Sequence, residues 1–316
     1  MEVRISGTHY PLETLGPGPR LGVWFQGCTL ACPGCMSRHT WDGRGGGARS
    51  VADVLELWSA ALAAGARGLT VSGGEPLQQP EALAALLSGA AGLRDAWARG
   101  AGGAGRDTEP RAAPREGAWA VGRATEPRRA GDPVPARVPG PGPGPTTAPT
   151  RLSASASASA PTHSPEAAGT PDEGGTPAGD EPSRAVSGPG GTGSRADLLV
   201  YTGYEPEELT SRQLTALEHA DAVVTGRFRV AEPTPLVWRG SANQRLRPLT
   251  PLGAVRYAPH LRRAATGRRL QPVTVPGPGG RTALRLYGVP LRGELAAAER
   301  ELRGAGVSLR DASWRP

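Results

Sequence analysis

Lysine is absent from this 316-residue chain, so all 36 basic positions are arginine. Set against 29 acidic residues, they leave a net charge of +7. An all-arginine complement reads first as the codon bias of a GC-rich genome, and second as a surface for an anionic partner such as nucleic acid. Aromatic residues are also scarce, at 4% with two Phe, and no basic stripe is interleaved with them. That disfavours nucleic-acid binding. No apolar run approaches the ~20 residues of a membrane span, and Met1 to Ser6 lack the apolar segment of a secretory signal. The expectation is a cytoplasmic protein with no membrane partner. The chain has only three cysteines, Cys28, Cys32 and Cys35. A disulfide framework wants an even number spread along a small secreted chain, and is excluded. Clustered thiols in a reducing compartment point to metal or cluster chemistry.

Glycine and proline, 46 and 33 residues, make up about a quarter of the chain, near the range of low-complexity sequence. They are unevenly spread. Residues 1–93 alternate strand-like and helix-like signals. Leu21 to Gln26 and Gly68 to Ser72 read as buried strands. Ser50 to Ala64 reads as a helix with Ser50 as N-cap, Asp53 three residues on and Gly65 as the stop. Pro80 to Leu93 is the next helix. Residues 94–195 show no period that could build a core and read as a disordered insertion, as the runs Pro139 to Pro145 and Ser153 to Ser159 illustrate. Order resumes with strands at Asp197 to Thr202 and Asp221 to Thr225, separated by a helix over Pro206 to His219. These stretches make 196–252 the second half of the core. Residues 253–316 form an extension with a hairpin (Gln271 to Val275 and Thr282 to Tyr287) and a charged helix (Gly293 to Arg303). Strand-helix alternation implies an α/β fold with a mostly parallel sheet.

The cysteines stand in Cys28-x3-Cys32-x2-Cys35 spacing, with Gly27 and Gly34 allowing sharp turns. Three thiolates on one loop can hold three corners of a cubane and leave a fourth iron open. A structural zinc site is the alternative, with His39 close enough to be a fourth ligand. A second motif, Ser72-Gly73-Gly74-Glu75-Pro76, follows the next strand. Together the two motifs resemble the radical SAM superfamily. Gly16 to Cys28, His39-Thr40-Trp41, Tyr201-Thr202-Gly203-Tyr204, Asp221 to Phe228 and Arg239-Gly-Ser241-Ala-Asn243-Gln244 are similar to its small activase-like subgroup. That subgroup includes activators of anaerobic ribonucleotide reductase. The resemblance covers about 1–93 and 196–250 and omits the insertion and the tail. Gly34 stands where many superfamily members carry an aromatic residue.

The resemblance implies a partial (βα) barrel, a 4Fe-4S cluster on the three cysteines, and S-adenosyl-L-methionine on its open iron. It implies that SAM is cleaved reductively to a 5′-deoxyadenosyl radical, which takes hydrogen from a glycine of a partner enzyme. Gly73, Gly74, Glu75 and Pro76 would hold SAM. Tyr201, Thr202 and Gly203 are either further SAM contacts or an ordinary strand-end turn. Arg239 and Asn243, with Ser241 and Gln244, either anchor SAM or a partner or form a solvated turn. His39 and Trp41 would cover the cluster, Asp42 is a loop residue, and Tyr10 and Arg20 would shape the entrance. The implied partners are a protein or peptide substrate and an electron donor such as flavodoxin or ferredoxin. A radical SAM enzyme acting on a peptide or small metabolite, and a non-catalytic iron-sulfur or zinc module, are the competing readings.

Overall fold

The structure, a computed structural model, describes residues 1–101, 195–267, 269–276 and 282–307. Four apolar runs become adjacent parallel strands: β2 (Arg20–Phe25), β4 (Gly68–Gly73), β5 (Asp197–Tyr201) and β6 (Ala222–Thr225). Such strands read as continuous apolar runs because both faces are covered. One face carries Leu21, Val23, Phe25, Leu69, Val71, Leu198 and Val200 against α1 (Val51–Ala63) and α2 (Pro80–Ala101). On that side Trp58, Leu83, Leu86 and Leu87 are fully buried, each stabilising by roughly 1.5–3 kcal/mol. The Trp58 indole also donates to the Ala90 carbonyl at 3.1 Å, tying α1 to α2. The other face carries Leu199, Ala222 and Val224 against Tyr257 of α4 (Pro251–Tyr257).

Three strands escaped the sequence reading: β1 (Glu2–Leu12), β3 (Gly47–Ser50) and β7 (Arg245–Pro248). All pair antiparallel, giving the order β3-β1-β2-β4-β5-β6-β7. The sheet is therefore mixed, parallel in its middle and antiparallel toward both ends. Gly-Ala-Arg-Ser and Arg-Leu-Arg-Pro have no apolar run to betray them, because edge strands bury little. The α1 start matches expectation: Ser50 Oγ accepts from Asp53 N at 3.0 Å and Asp53 Oδ2 from Ser50 N at 3.2 Å, a capping box. The helix expected over 206–219 is instead a 3-10 turn (Pro206–Glu208) and α3 (Ser211–Ala216), because Thr210 caps anew through Gln213. Helix α2 runs on to Ala101 rather than ending at Leu93. Its Arg94 pairs with Asp221, and its Asp95 with Arg195. These pairs bring the two ends of the long connection together. The rest of the stretch expected to be disordered lies outside the described residues.

The extension folds as β8 (Leu270–Pro276) paired with β9 (Thr282–Gly288), then α5 (Glu294–Gly304). The boundary read at 252/253 falls inside α4, whose Tyr257 is core. No helix among the described residues is long and apolar enough to cross a membrane.

At the starting ends of the parallel strands lies a buried ion pair. Arg20 Nη2 meets Asp197 Oδ1 at 2.6 Å, and both side chains have 0% exposure. Arg20 also donates to Thr70 Oγ1 (2.7 Å) and the Leu69 carbonyl (2.9 Å), while Tyr257 and Arg256 donate to Asp197. Arg20 therefore does not shape an entrance; it locks β2 to β5 across Gly68. Tyr10 does not either, since it is buried and its hydroxyl donates to the Ala64 carbonyl at 2.7 Å. Burial opposes ionisation of Asp197, but Arg20, Tyr257 and Arg256 outweigh it and hold its carboxyl below the usual range. A carboxylate with a lowered folded pKa stabilises fully above its unfolded value, near 4, and loses that contribution as pH falls through the folded value. We expect Asp197→Asn to destabilise the apo-protein by about 3–5 kcal/mol, because it strands Arg20. Urea titrations at neutral pH and near pH 3 check this, the difference from wild type shrinking in acid.

Candidate metal centre

The chain leaves β2 at Gln26, and Gly27 turns it sharply with φ +99. The loop that follows closes on itself. Gly27 N donates to Thr40 O at 2.7 Å and Cys28 N to Trp41 O at 3.1 Å. The Gln26 amide braces the return, donating to His39 O (3.1 Å) and Asp42 O (2.8 Å). Within the loop, Cys35 N donates to Cys32 O at 3.1 Å and Ser37 N to Cys35 Sγ at 3.4 Å. Gly34 has φ +75, a left-handed conformation that favours glycine.

All three thiols are half-buried and line one cavity of about 370 Å³, within the range of small-ligand sites. Burial pushes the Cys28 and Cys32 thiols up, so their thiolates need a metal partner to persist. Among the described residues no three His, Cys, Asp or Glu side chains converge on one ion. A cubane asks less, since each thiolate binds a different iron. His39, the residue that could complete a zinc site, is exposed and does not line the cavity, whereas Trp41 does.

The Gly-Gly-Glu-Pro turn sits beside this loop because β4 is hydrogen-bonded past its end to it. Gly74 N donates to Phe25 O and Glu75 N to Gly27 O, both at 2.8 Å. A Cβ on Gly73 would come within 2.5 Å of Phe25 O, and one on Gly74 would meet Gly27. Both positions thus require glycine. The Glu75 carboxylate is 1% exposed and already has three donors: Leu77 N at 3.0 Å, Thr202 Oγ1 at 2.8 Å and Gly203 N at 2.7 Å. Burial raises its pKa to about 7 against the pull of those donors. Glu75 fastens the end of β4 to the end of β5, and Pro76 is buried. Gln78 extends the seam, donating to Thr29 Oγ1 at 2.7 Å and Tyr204 Oη at 3.2 Å.

Tyr201, Thr202 and Gly203 all line the cavity, and the Tyr201 hydroxyl is buried with no hydrogen-bond partner. Three half-buried thiols beside the backbone of Gly73, Gly74 and Gly203 fit a cluster with a polar ligand held against it. Ser72, Gly73, Gly74 and Gly226 supply further close backbone walls.

The polar cluster after residue 238 is not gathered there. Arg239 is buried and donates to the carbonyls of Val237, His260 and Leu261. Asn243 Nδ2 donates to Arg227 O at 2.9 Å and Gln244 Nε2 to Gly226 O at 3.0 Å. Gln244 alone of this cluster reaches the cavity wall.

The opposite wall comes from the extension, whose residues Leu286 to Gly293 line the same cavity as the cysteines. Tyr287 stacks on His9 with centroids 4.6 Å apart, and lies against Trp24 at 4.6 Å. Burial, aided by Arg285, draws the His9 pKa down to about 4, so the stacked ring is neutral at neutral pH. Val273 and Val289 pack with Leu12 and Leu15. The hairpin was legible in the sequence, whereas the particular residues it brings to the cavity were not.

Glu75→Ala leaves three buried donors unpaired, at about 1–3 kcal/mol each before relaxation. The expected outcome is a lowered urea midpoint together with a smaller iron content after anaerobic reconstitution. Glu75→Gln, which keeps an acceptor, falls between that variant and wild type on both measures.

Comparison with known proteins agrees with this geometry. The family described as "4Fe-4S single cluster domain" matches residues 14–94 and 190–247. The chain is 23% identical over 240 residues to the anaerobic ribonucleoside-triphosphate reductase-activating protein of Enterobacteria phage T4, covering 75% of this chain and 89% of that protein. It is 39% identical over 90 residues to a pyruvate formate-lyase-activating enzyme of Listeria monocytogenes, covering 25% of this chain and 35% of that enzyme. It is 39% identical over 69 residues to pyruvate formate-lyase 1-activating enzyme of Escherichia coli K12, covering 21% and 28%. The chain thus spans about a third of the length of these last two relatives. The matched segment 14–94 contains the cysteine loop and the Gly-Gly-Glu-Pro seam, and together these matches support an activase-like radical SAM protein.

Proposed function

We propose that this chain is a radical SAM activase that generates a radical on a glycine of a partner enzyme. The observation carrying this reading is that the three thiols and the Gly73-Gly74 turn line a single cavity. A 4Fe-4S cluster on Cys28, Cys32 and Cys35, with its fourth iron open, supplies reductive cleavage of S-adenosyl-L-methionine to a 5′-deoxyadenosyl radical. Gly73 and Gly74 present their backbone to the cavity, while Glu75 keeps that turn registered against Thr202 and Gly203. Trp24, Trp41 and Tyr287 exclude water from the cavity.

The sheet is the open, partial barrel of this reading, and the extension covers part of its opening. The core is then 1–101 with 195–261, and residues 102–194 are an insertion that the chemistry does not use. A protein substrate follows from the relatives, two of them named for activating pyruvate formate-lyase and one for activating a reductase. A small acidic carrier such as flavodoxin or ferredoxin delivers the electron.

Anaerobic reconstitution should yield about four iron per chain and a broad absorption that bleaches on reduction. Cys28→Ala, Cys32→Ala and Cys35→Ala should each abolish 5′-deoxyadenosine formation, since no spare thiolate exists. Zinc binding without iron uptake would overturn the proposal.

The extension gives a second test. A chain ending at Gly267 keeps Tyr257 and the carbonyls that hold Arg239, but loses the wall from Leu286 to Gly293. We expect the acceleration that a glycine-bearing protein or peptide confers to fall by a larger factor than basal SAM cleavage. Rapid turnover of a small metabolite alone, with its label passing into 5′-deoxyadenosine, would sink the protein-substrate reading.

A further inference from the structure

The segment Gly226 to Val230 follows β6, and three side chains of the 241–244 turn grip its backbone. Gln244 Nε2 donates to Gly226 O at 3.0 Å and Asn243 Nδ2 to Arg227 O at 2.9 Å. Ser241 Oγ accepts from Arg229 N at 3.1 Å. Gln244 is itself fixed, since its Oε1 accepts from Gly240 N at 2.7 Å. The Arg227 guanidinium is held outward by Glu208, with donor distances of 2.8 and 2.6 Å. Such a dense brace holds the main chain of 226–229 in one place.

What the brace presents is Phe228. A Cβ added to Gly34 would meet the Phe228 ring at 3.5 Å and Val230 at 3.1 Å, and one added to Gly240 would meet the ring at 2.9 Å. The ring thus fills a slot cut by two glycines, one in the cysteine loop and one in the bracing turn. Phe228, Val230, Gly34 and Gly240 all line the cysteine cavity. Gly34, with φ +75, cannot carry an aromatic side chain of its own without strain.

We propose that Phe228, held by Ser241, Asn243 and Gln244, is a positioning residue of the cluster: its ring shields the Gly34–Cys35 flank from water. This rests on the cluster reading above and assigns the polar turn a task other than ligand binding. Solvent exposure of a cluster shifts its potential and opens it to oxygen. Loosening the brace frees the ring from its slot; removing the ring admits water and oxygen.

The test uses the full chain, reconstituted anaerobically, with iron and sulfide content, the paramagnetic resonance spectrum of the reduced cluster, its midpoint potential and its rate of loss in air as readouts. Gln244→Ala should keep the iron content of wild type and lose its cluster in air about twofold faster than wild type. Phe228→Ala should keep the iron content and lose its cluster in air several-fold faster. Phe228→Leu, which retains apolar bulk, should fall between Phe228→Ala and wild type. Unchanged potential, spectrum and air stability in variants carrying full iron would overturn the inference while leaving the cluster reading intact. A wild-type chain that takes up no iron overturns both. If Gln244→Ala and Phe228→Ala fail to fold, Phe228→Leu decides, with wild-type air stability counting against the proposal and faster loss for it.

Discussion

One buried carboxylate holds the working end of this molecule together. Glu75 accepts from Leu77, Thr202 and Gly203, while its own N–H reaches Gly27 at the root of the cysteine loop. Three strand ends, those of β2, β4 and β5, are therefore sewn through one residue. Parallel strands deliver their C-terminal ends to the same side of a sheet, where ligands of open α/β sheets gather. They do not by themselves fix the loops that follow. Buried donors that would otherwise go unpaired supply the missing constraint, because each can be satisfied only with Glu75 in place. The glycines at 73 and 74 are the steric counterpart, removing the Cβ atoms that would push β4 away from Phe25 and Gly27.

The two ends of the sheet divide the labour. At the starting end, Arg20, Asp197 and Tyr257 form a closed charge network with no exposed surface. Such a network specifies which strands meet, since a misregistered β5 would strand a buried guanidinium. At the finishing end the three thiols and the Gly73-Gly74 turn open onto one cavity. A closed charge network at one end and half-buried thiols at the other leave the second end for a ligand. The extension completes the cavity there. It is held to β1 and β2 by the stack of His9, Tyr287 and Trp24 rather than by backbone pairing with the sheet.

Much of this was legible in the sequence where burial dictates it. The strands covered on both faces were visible as apolar runs, and the Ser50–Asp53 box was visible because capping chemistry is local. The edge strands β3 and β7 were not, since Gly-Ala-Arg-Ser and Arg-Leu-Arg-Pro owe their form to partners far away in the chain. Nor was the split in the 206–219 helix, although Thr210 and Gln213 carry its capping signal at the right spacing. Arg20 was misplaced for a plainer reason. An arginine beside a Gly-Pro-Gly-Pro run looks like an exposed loop residue until its partner, 177 positions later, is known.

The candidate site divides along the same line. The cysteines and the Gly73-Gly74 turn could be read because a cluster needs thiols at close spacing and a tight turn needs glycine. Arg239, Ser241, Asn243 and Gln244 could not, because a polar side chain looks the same whether its partner is a ligand or a carbonyl of its own chain. Here most of their hydrogen bonds go to backbone. The missing aromatic residue at Gly34 follows the same logic. Its absence is a local fact of the sequence, but the ring that occupies the space, Phe228, comes from a different strand end. A glycine in a cluster loop therefore says nothing about whether that flank is bare. What decides it is the loop that β6 sends across, and how firmly that loop is held.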